Sequence, residues 1–282
     1  KTTIGPEPTV IRCAAGGRLP TISTSTGRLR RSARPWSRPK GPGEVSKSLG
    51  VNYRHKDQDF VDFNIQKLLP HKFTEYGPAL AAGDLNGDGL DDIVSAGSST
   101  KSAQIFFQQP NGKFVRKSLL KDEKEIIGLD QGILLFDADN DNDLDIYVTS
   151  GGYEHAPNTS FYQDKFFEND GKGNFRRNES ALPKNYTSKF CVRAADYDKD
   201  GDLDLFVAGR VEPWHYPKPV SSFIFRNDSK NGVIKFTDVT PSIAKSLVNV
   251  GLVCDAVFTD FDNYGWQDLL IDGEWMPLTF LK

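Results

Sequence analysis

The stretch "GDLNGDGLDDIV" runs from Gly83 to Val94, and its reading decides the fold. Four aspartates and an asparagine crowd into it before the chain turns apolar. Like charges this close repel and destabilise a compact state unless something neutralises them. The pattern then returns. Asp137 starts "DADNDNDLDIYV", Asp196 starts "DYDKDGDLDLFV" and Asp260 starts "DFDNYGWQDLLI". Counted from Asp84, the starts lie 53, 59 and 64 residues apart. A fixed period of this size is the mark of a repeat architecture.

Each acidic loop sits between two short apolar runs. "PALAAG", "GILLF", "CVRAA" and "DAVFT" precede the loops, and runs such as "DIVSAG" and "DLFVAG" follow them. β-Branched and aromatic content with Gly at the borders predicts strands. A second pair follows each of the first three loops, in "AQIFFQQPNGKF", "KFFENDGKGNF" and "SFIFRNDSKNGVIKF", with the later strand starting near Phe114, Phe175 or Phe236. Gly and Asn supply the positive φ that tight hairpins need. Two hairpins per repeat make a four-stranded antiparallel sheet, and radial repetition of such sheets is a β-propeller. We therefore expect an all-β chain. Four phased copies predict about four blades over residues 47–282.

The spacing within the loops predicts metal ligands. Numbered from the first Asp, positions one, three, five and nine are Asp84, Asn86, Asp88 and Asp92 in the first copy. They are Asp137, Asp139, Asp141 and Asp145 in the second, and Asp196, Asp198, Asp200 and Asp204 in the third. The carbonyls of Leu90, Asp143 and Asp202 at position seven complete each set. Hard oxygen donors in this number suit Ca2+, which accepts 6–8 of them in flexible geometry. Zinc would call for His or Cys, which the loops lack. Gly89, Asn142, Gly201 and Gly265 hold position six, where the chain must bend sharply. An EF-hand would place Glu at position twelve and continue into a helix; here a strand follows position nine. In the fourth copy Tyr264 replaces the position-five carboxylate, leaving Asp260, Asp262 and Asp268, so that site is expected to be weak or lost.

The charge is unevenly spread. Residues 1–50 hold ten of the 35 basic and two of the 38 acidic residues, which leaves 25 and 36 beyond them, a net of −11. Such an acidic body argues against nucleic acid as the partner. The segment "GRLRRSARPWSRPKGPGE" lacks apolar periodicity. Residues 1–46 are therefore expected to be a disordered or non-native basic leader. No apolar run reaches the ~18 residues needed to span a bilayer, and no signal peptide is visible. Of three cysteines, Cys191 and Cys254 fall in the body, as a disulfide or as two buried thiols.

The loops and their flanks resemble the FG-GAP repeats of integrin α-subunit propellers and the related VCBS repeats of bacterial exported proteins, over about residues 83–282. "LLPHKFTEYGPALAAGDLNGDGLDDIV", "FYQDKFFENDGKGNF", "AADYDKDGDLDLFVAGRV" and "DGEWMPLTF" look closest to the ASPIC/UnbV group of Bacteroidetes, which is cartilage-acidic-protein-like. The resemblance implies a propeller, typically seven-bladed, with structural Ca2+ in its loops; against that count the expectation is an incomplete propeller of about four blades, a fragment of a longer protein. It also implies a place outside the cell, on the outer membrane or in the periplasm, and adhesion to a protein or glycan on one face.

Catalysis finds less support. His55, His71, His155 and His215 are scattered, and no nucleophile elbow, zinc-protease motif or phosphate loop occurs. His71, Glu154, His155 and Arg210 lie just outside the repeats and are candidates to line a face. The expectation is a binding module, with a carbohydrate-active hydrolase or lyase as the alternative.

Overall fold

The computed structural model describes residues 43–120 and 128–282, so nearly all of the expected leader, residues 1–46, lies outside the described residues. Among the described residues fifteen strands form four antiparallel sheets, each taken in chain order. The first sheet is β1 (Leu80–Gly83), β2 (Asp92–Ser95), β3 (Gln104–Gln108) and β4 (Phe114–Ser118). The second is β5 (Leu129–Phe136), β6 (Asp145–Gly151), β7 (Lys165–Glu168) and β8 (Arg176–Arg177). The third is β9 (Ser188–Ala195), β10 (Asp204–Val211), β11 (Phe223–Asn227) and β12 (Phe236–Asp238). The fourth has three strands, β13 (Leu252–Thr259), β14 (Asp268–Glu274) and β15 (Thr279–Leu281). These are propeller blades, and the hairpins fall where the sequence places them. Each acidic loop joins the first strand of a blade to its second.

The core lies between blades, as period-two alternation requires. On β10, Leu205 and Val207 face the second blade and pack with Phe136, Tyr147 and Phe166. Phe206 and Ala208 face the other way, onto Val253 and Ile271 of the fourth blade. On β6, Ile146 and Val148 pack with Val94 and Ile105 of the first blade. Both faces of these second strands are covered, so β6 and β10 are buried along their whole length. That explains why they read as continuous apolar runs and not as alternating ones.

The first strands of neighbouring blades approach closely. A Cβ on Gly132 of β5 would sit 2.3 Å from the Phe190 carbonyl of β9, so no larger residue fits there. The Thr149 hydroxyl donates to that same carbonyl at 2.8 Å.

Buried polar groups add to the blade contacts. Lys189 is fully buried and donates to the carbonyls of Tyr162 and Thr187, each at 2.7 Å, with Asp164 at 3.4 Å. Asp164 in turn accepts from the Tyr147 hydroxyl at 2.7 Å. Lys165 pairs with Asp130 at 2.5 Å. Cys191 and Cys254 are both free, which settles the sequence alternatives in favour of two thiols. Burial pushes the Cys191 thiol up to about 12.

Candidate metal centres

All four acidic loops share one backbone device. The position-one carboxylate turns back and accepts the position-six amide. Asp84 takes Gly89 at 2.8 Å, Asp137 takes Asn142 at 2.9 Å, Asp196 takes Gly201 at 3.2 Å and Asp260 takes Gly265 at 2.7 Å. The position-six residues lie at positive φ, between 71° and 97°, as expected from Gly and Asn. Position four does too, in Gly87, Asn140, Lys199 and Asn263. The loop therefore coils tightly with its side-chain oxygens turned inward.

The position-five carboxylate accepts the position-seven amide. Asp88 takes Leu90 at 2.9 Å, Asp141 takes Asp143 at 3.0 Å and Asp200 takes Asp202 at 3.0 Å. Tyr264 removes this bond from the fourth loop. The position-nine Asp does something the spacing did not reveal. One of its oxygens accepts an amide at the end of the third strand of its own blade: Asp92 from Gln108 at 2.8 Å, Asp145 from Asn169, just past β7, at 2.9 Å and Asp204 from Asn227 at 2.8 Å. Position nine thus ties the loop to the sheet and leaves its other oxygen facing the loop.

Three groups of carboxylates converge among the described residues. Asp137, Asp139 and Asp141 bring one oxygen each within 4.8 Å of the others, as do Asp196, Asp198 and Asp204, and Asp260, Asp262 and Asp268. The first loop, with an amide at position three, does not gather three carboxylates in this way. The fourth loop keeps the same positions, one, three and nine, as the third. There the Lys282 ammonium pairs with Asp262 and holds its carboxyl below the usual range.

The donor set fits a cation on an observation independent of spacing. Asp196 Oδ1, Asp204 Oδ2 and Asp260 Oδ1 are buried with no hydrogen-bond partner. A buried carboxylate oxygen left alone is costly, and a cation at the centre of the loop removes that cost. The electrostatics agree. Burial, with neighbouring carboxylates adding to it, pushes Asp143 up to about 6 and Asp145 and Asp204 up to about 7. Asp92, Asp139 and Asp198 are raised from the same cause. Each of the first three loops holds more negative charge than its surroundings solvate.

Two asparagines missed in the sequence join the loops to one another. Asn169 Nδ2 donates to Leu144 O of its own loop and to Leu85 O of the first, both at 3.0 Å. Asn227 Nδ2 donates to Leu203 O at 3.2 Å and to Ala138 O of the second loop at 2.8 Å. The visible signal was the Asn-Asp pair that ends β7 and β11, which the sequence presents as turn chemistry.

The other candidates fall at the far ends of the second strands. Arg210 and Glu274 occupy the same position, one blade apart, and pair at 2.6 Å. His71 reaches Glu274 at 3.0 Å, and the Tyr76 hydroxyl bonds both His71 Nδ1 and Arg210. This network, packed on Phe73, fastens the segment before β1 to the third and fourth blades. Glu154 lies apart from it, 3.5 Å from the Ser99 hydroxyl, and burial lifts its carboxyl to about 7. His155 stacks on Phe161 at 3.6 Å.

Comparison with protein families identifies an FG-GAP-like repeat twice, over residues 84–148 and 137–207. Those spans contain the first three acidic loops, the whole second blade and parts of the first and third. Residues 84–207 thus carry FG-GAP-like repeats, set on the antiparallel blades of a β-propeller. Among curated proteins nothing matches it.

Proposed function

We propose that this chain is a calcium-stabilised binding module, exported or held at a cell surface, whose blades present one face to a protein or glycan ligand. The observation that carries the reading is the set of orphaned carboxylate oxygens on Asp196, Asp204 and Asp260, one or two in each of two phased loops. Ca2+ in the first three loops would be held by the ligands at positions one, three, five and nine and by the carbonyls of Leu90, Asp143 and Asp202. Its chemistry there is charge neutralisation and loop closure. The fourth loop would bind more weakly, because it lacks the position-five carboxylate and Lys282 competes for Asp262.

Exposure of these loops supports a location outside the cytosol. Open carboxylate sites in extracellular modules bind with Kd near 10⁻⁴–10⁻³ M, so they fill only where calcium is millimolar. Binding is favoured over catalysis because the crowded carboxylates converge on loop centres and are already engaged with backbone amides. The test is calorimetric titration of chelated protein with Ca2+. About three sites of submillimolar affinity are expected, and no heat of binding would overturn the reading.

A further inference from the structure

At the end of the blades away from the acidic loops, a cleft of about 210 Å³ opens between the second, third and fourth blades. Its floor is apolar and buried, with Val211 at the end of β10 and Val220 before β11. Its rim is polar, with Asn158, Tyr186, Glu212, Lys218 and Asn249 arriving from separate connections. An apolar floor ringed by a few polar groups is the usual make-up of a small-molecule site.

Three features specify what the cleft takes. First, its charge is balanced internally. Lys218 pairs with Glu212, and His215 Nδ1 lies 3.8 Å from the same carboxylate. The cleft therefore selects no strongly charged ligand, yet offers fixed donors and acceptors. Second, the side chains of Asn158, Asn249 and Tyr186 have no partner among the described residues. Asn158 and Asn249 are held at φ of 59° and 51°, and Asn249 is fixed by its amide bond to the Ser221 hydroxyl at 3.0 Å. Asn adopts this conformation readily in turns, so both side chains are carried on tight bends at the rim. Third, the volume is below the ~300–1,000 Å³ of sites for drug-sized ligands, so it admits one ring-sized unit.

Two tryptophans follow second strands at this end of the blades, outside the cleft lining. Trp214 follows β10 at φ 69° and Trp275 follows β14 at φ 58°, both exposed. Their indole N–H groups are already committed, to the Tyr153 carbonyl and to the Tyr216 hydroxyl. Their rings are left as apolar plates facing solvent.

We propose that this cleft binds the terminal sugar of a neutral glycan, with the amides of Asn158 and Asn249 and the Tyr186 hydroxyl bonding ring hydroxyls. Val211 and Val220 receive an apolar C–H face of the sugar. This rests on the binding-module reading and names its ligand class and site.

The test uses the full chain in calcium on an array of neutral and acidic glycans. It is followed by saturation-transfer NMR with neutral methyl glycosides, in the presence and absence of unlabelled peptide pools. Asn249→Ala and Tyr186→Ala are compared with Trp266→Ala, which lies on the loop end. The expected result is retention of a neutral glycan, weakened at least tenfold by the first two variants and unchanged by the third. Thermal melts in calcium check that the variants fold, and Glu212→Gln serves as a further cleft variant if one of them does not. An array that retains no neutral glycan overturns the proposal. Retention that survives the cleft variants overturns the site but leaves the binding-module reading standing. Peptide binding at the cleft without sugar binding overturns the ligand class alone. The calcium reading fails separately, by its own titration.

Discussion

The side-chain amide of Asn227 in the third blade donates to the Ala138 carbonyl in the second blade's acidic loop, at 2.8 Å. The same nitrogen reaches Leu203 O in its own loop at 3.2 Å. One buried amide therefore holds two candidate metal loops in register, and Asn169 does the same for the first and second.

The Asn227→Ala variant leaves the buried Ala138 carbonyl and the half-buried Leu203 carbonyl without this donor. An unsatisfied buried polar group costs about 1–3 kcal/mol. The variant should lose about that much stability in urea unfolding. Because the lost bonds join two loops, its calcium titration should also be less steep than that of the parent. A stability change within about 0.5 kcal/mol, the range of an ordinary surface substitution, would contradict the bridging role.

Lys189 offers a second stability test. It is fully buried beside Asp164, and burial lowers its pKa while raising that of Asp164. Removing one member of a buried pair strands the other, at about 3–5 kcal/mol. Lys189→Met should cost about that much and Lys189→Met with Asp164→Asn distinctly less. Additive losses measured by chemical denaturation would show that the two do not act as a pair.

These residues mark how far the sequence was legible. The loops, their phase and the hairpins could be read because they are local. Spacing fixes which oxygens share a loop, and Gly or Asn marks the bends. Position four escaped notice because Lys199 adopts a left-handed conformation that its residue type does not announce. Asn227 begins an Asn-Asp-Ser sequon in the sequence, yet it is buried and committed to two carbonyls. Its partner in the preceding loop is 89 residues away. Arg210 and His71 could be named as face-lining candidates. Their junction at Glu274 depends on two blades meeting, which no local pattern encodes.

The raised carboxylates predict a pH signature. Asp145 and Asp204 have folded pKa values of about 7, above their usual range near 4. Between those limits the calcium-free folded state holds protons that the unfolded chain has released. Its stability from these groups is present at low pH and is lost as pH rises through about 7. Calcium binds the ionised carboxylates, so its affinity rises over the same window. The gap between melting temperatures with calcium and with EDTA should therefore widen from pH 5 to pH 7.5. Comparing the two curves cancels groups remote from the loops. A gap constant with pH would contradict proton–calcium competition.

The most direct measurement is the melt itself. A site of Kd ~0.1 mM in ~2 mM calcium contributes about 1.8 kcal/mol. Three such sites give about 5 kcal/mol, comparable to the net stability of a whole domain. For a body of this size each kcal/mol moves the melting temperature by about 2–4 °C. Scanning calorimetry with EDTA against 2 mM Ca2+ should therefore show a fall of roughly 10–20 °C on chelation. The fall should be reversed by calcium and largely unaffected by equimolar Mg2+, which demands a stricter octahedron. Superimposable melts with and without calcium would contradict the claim that these loops are closed by the ion.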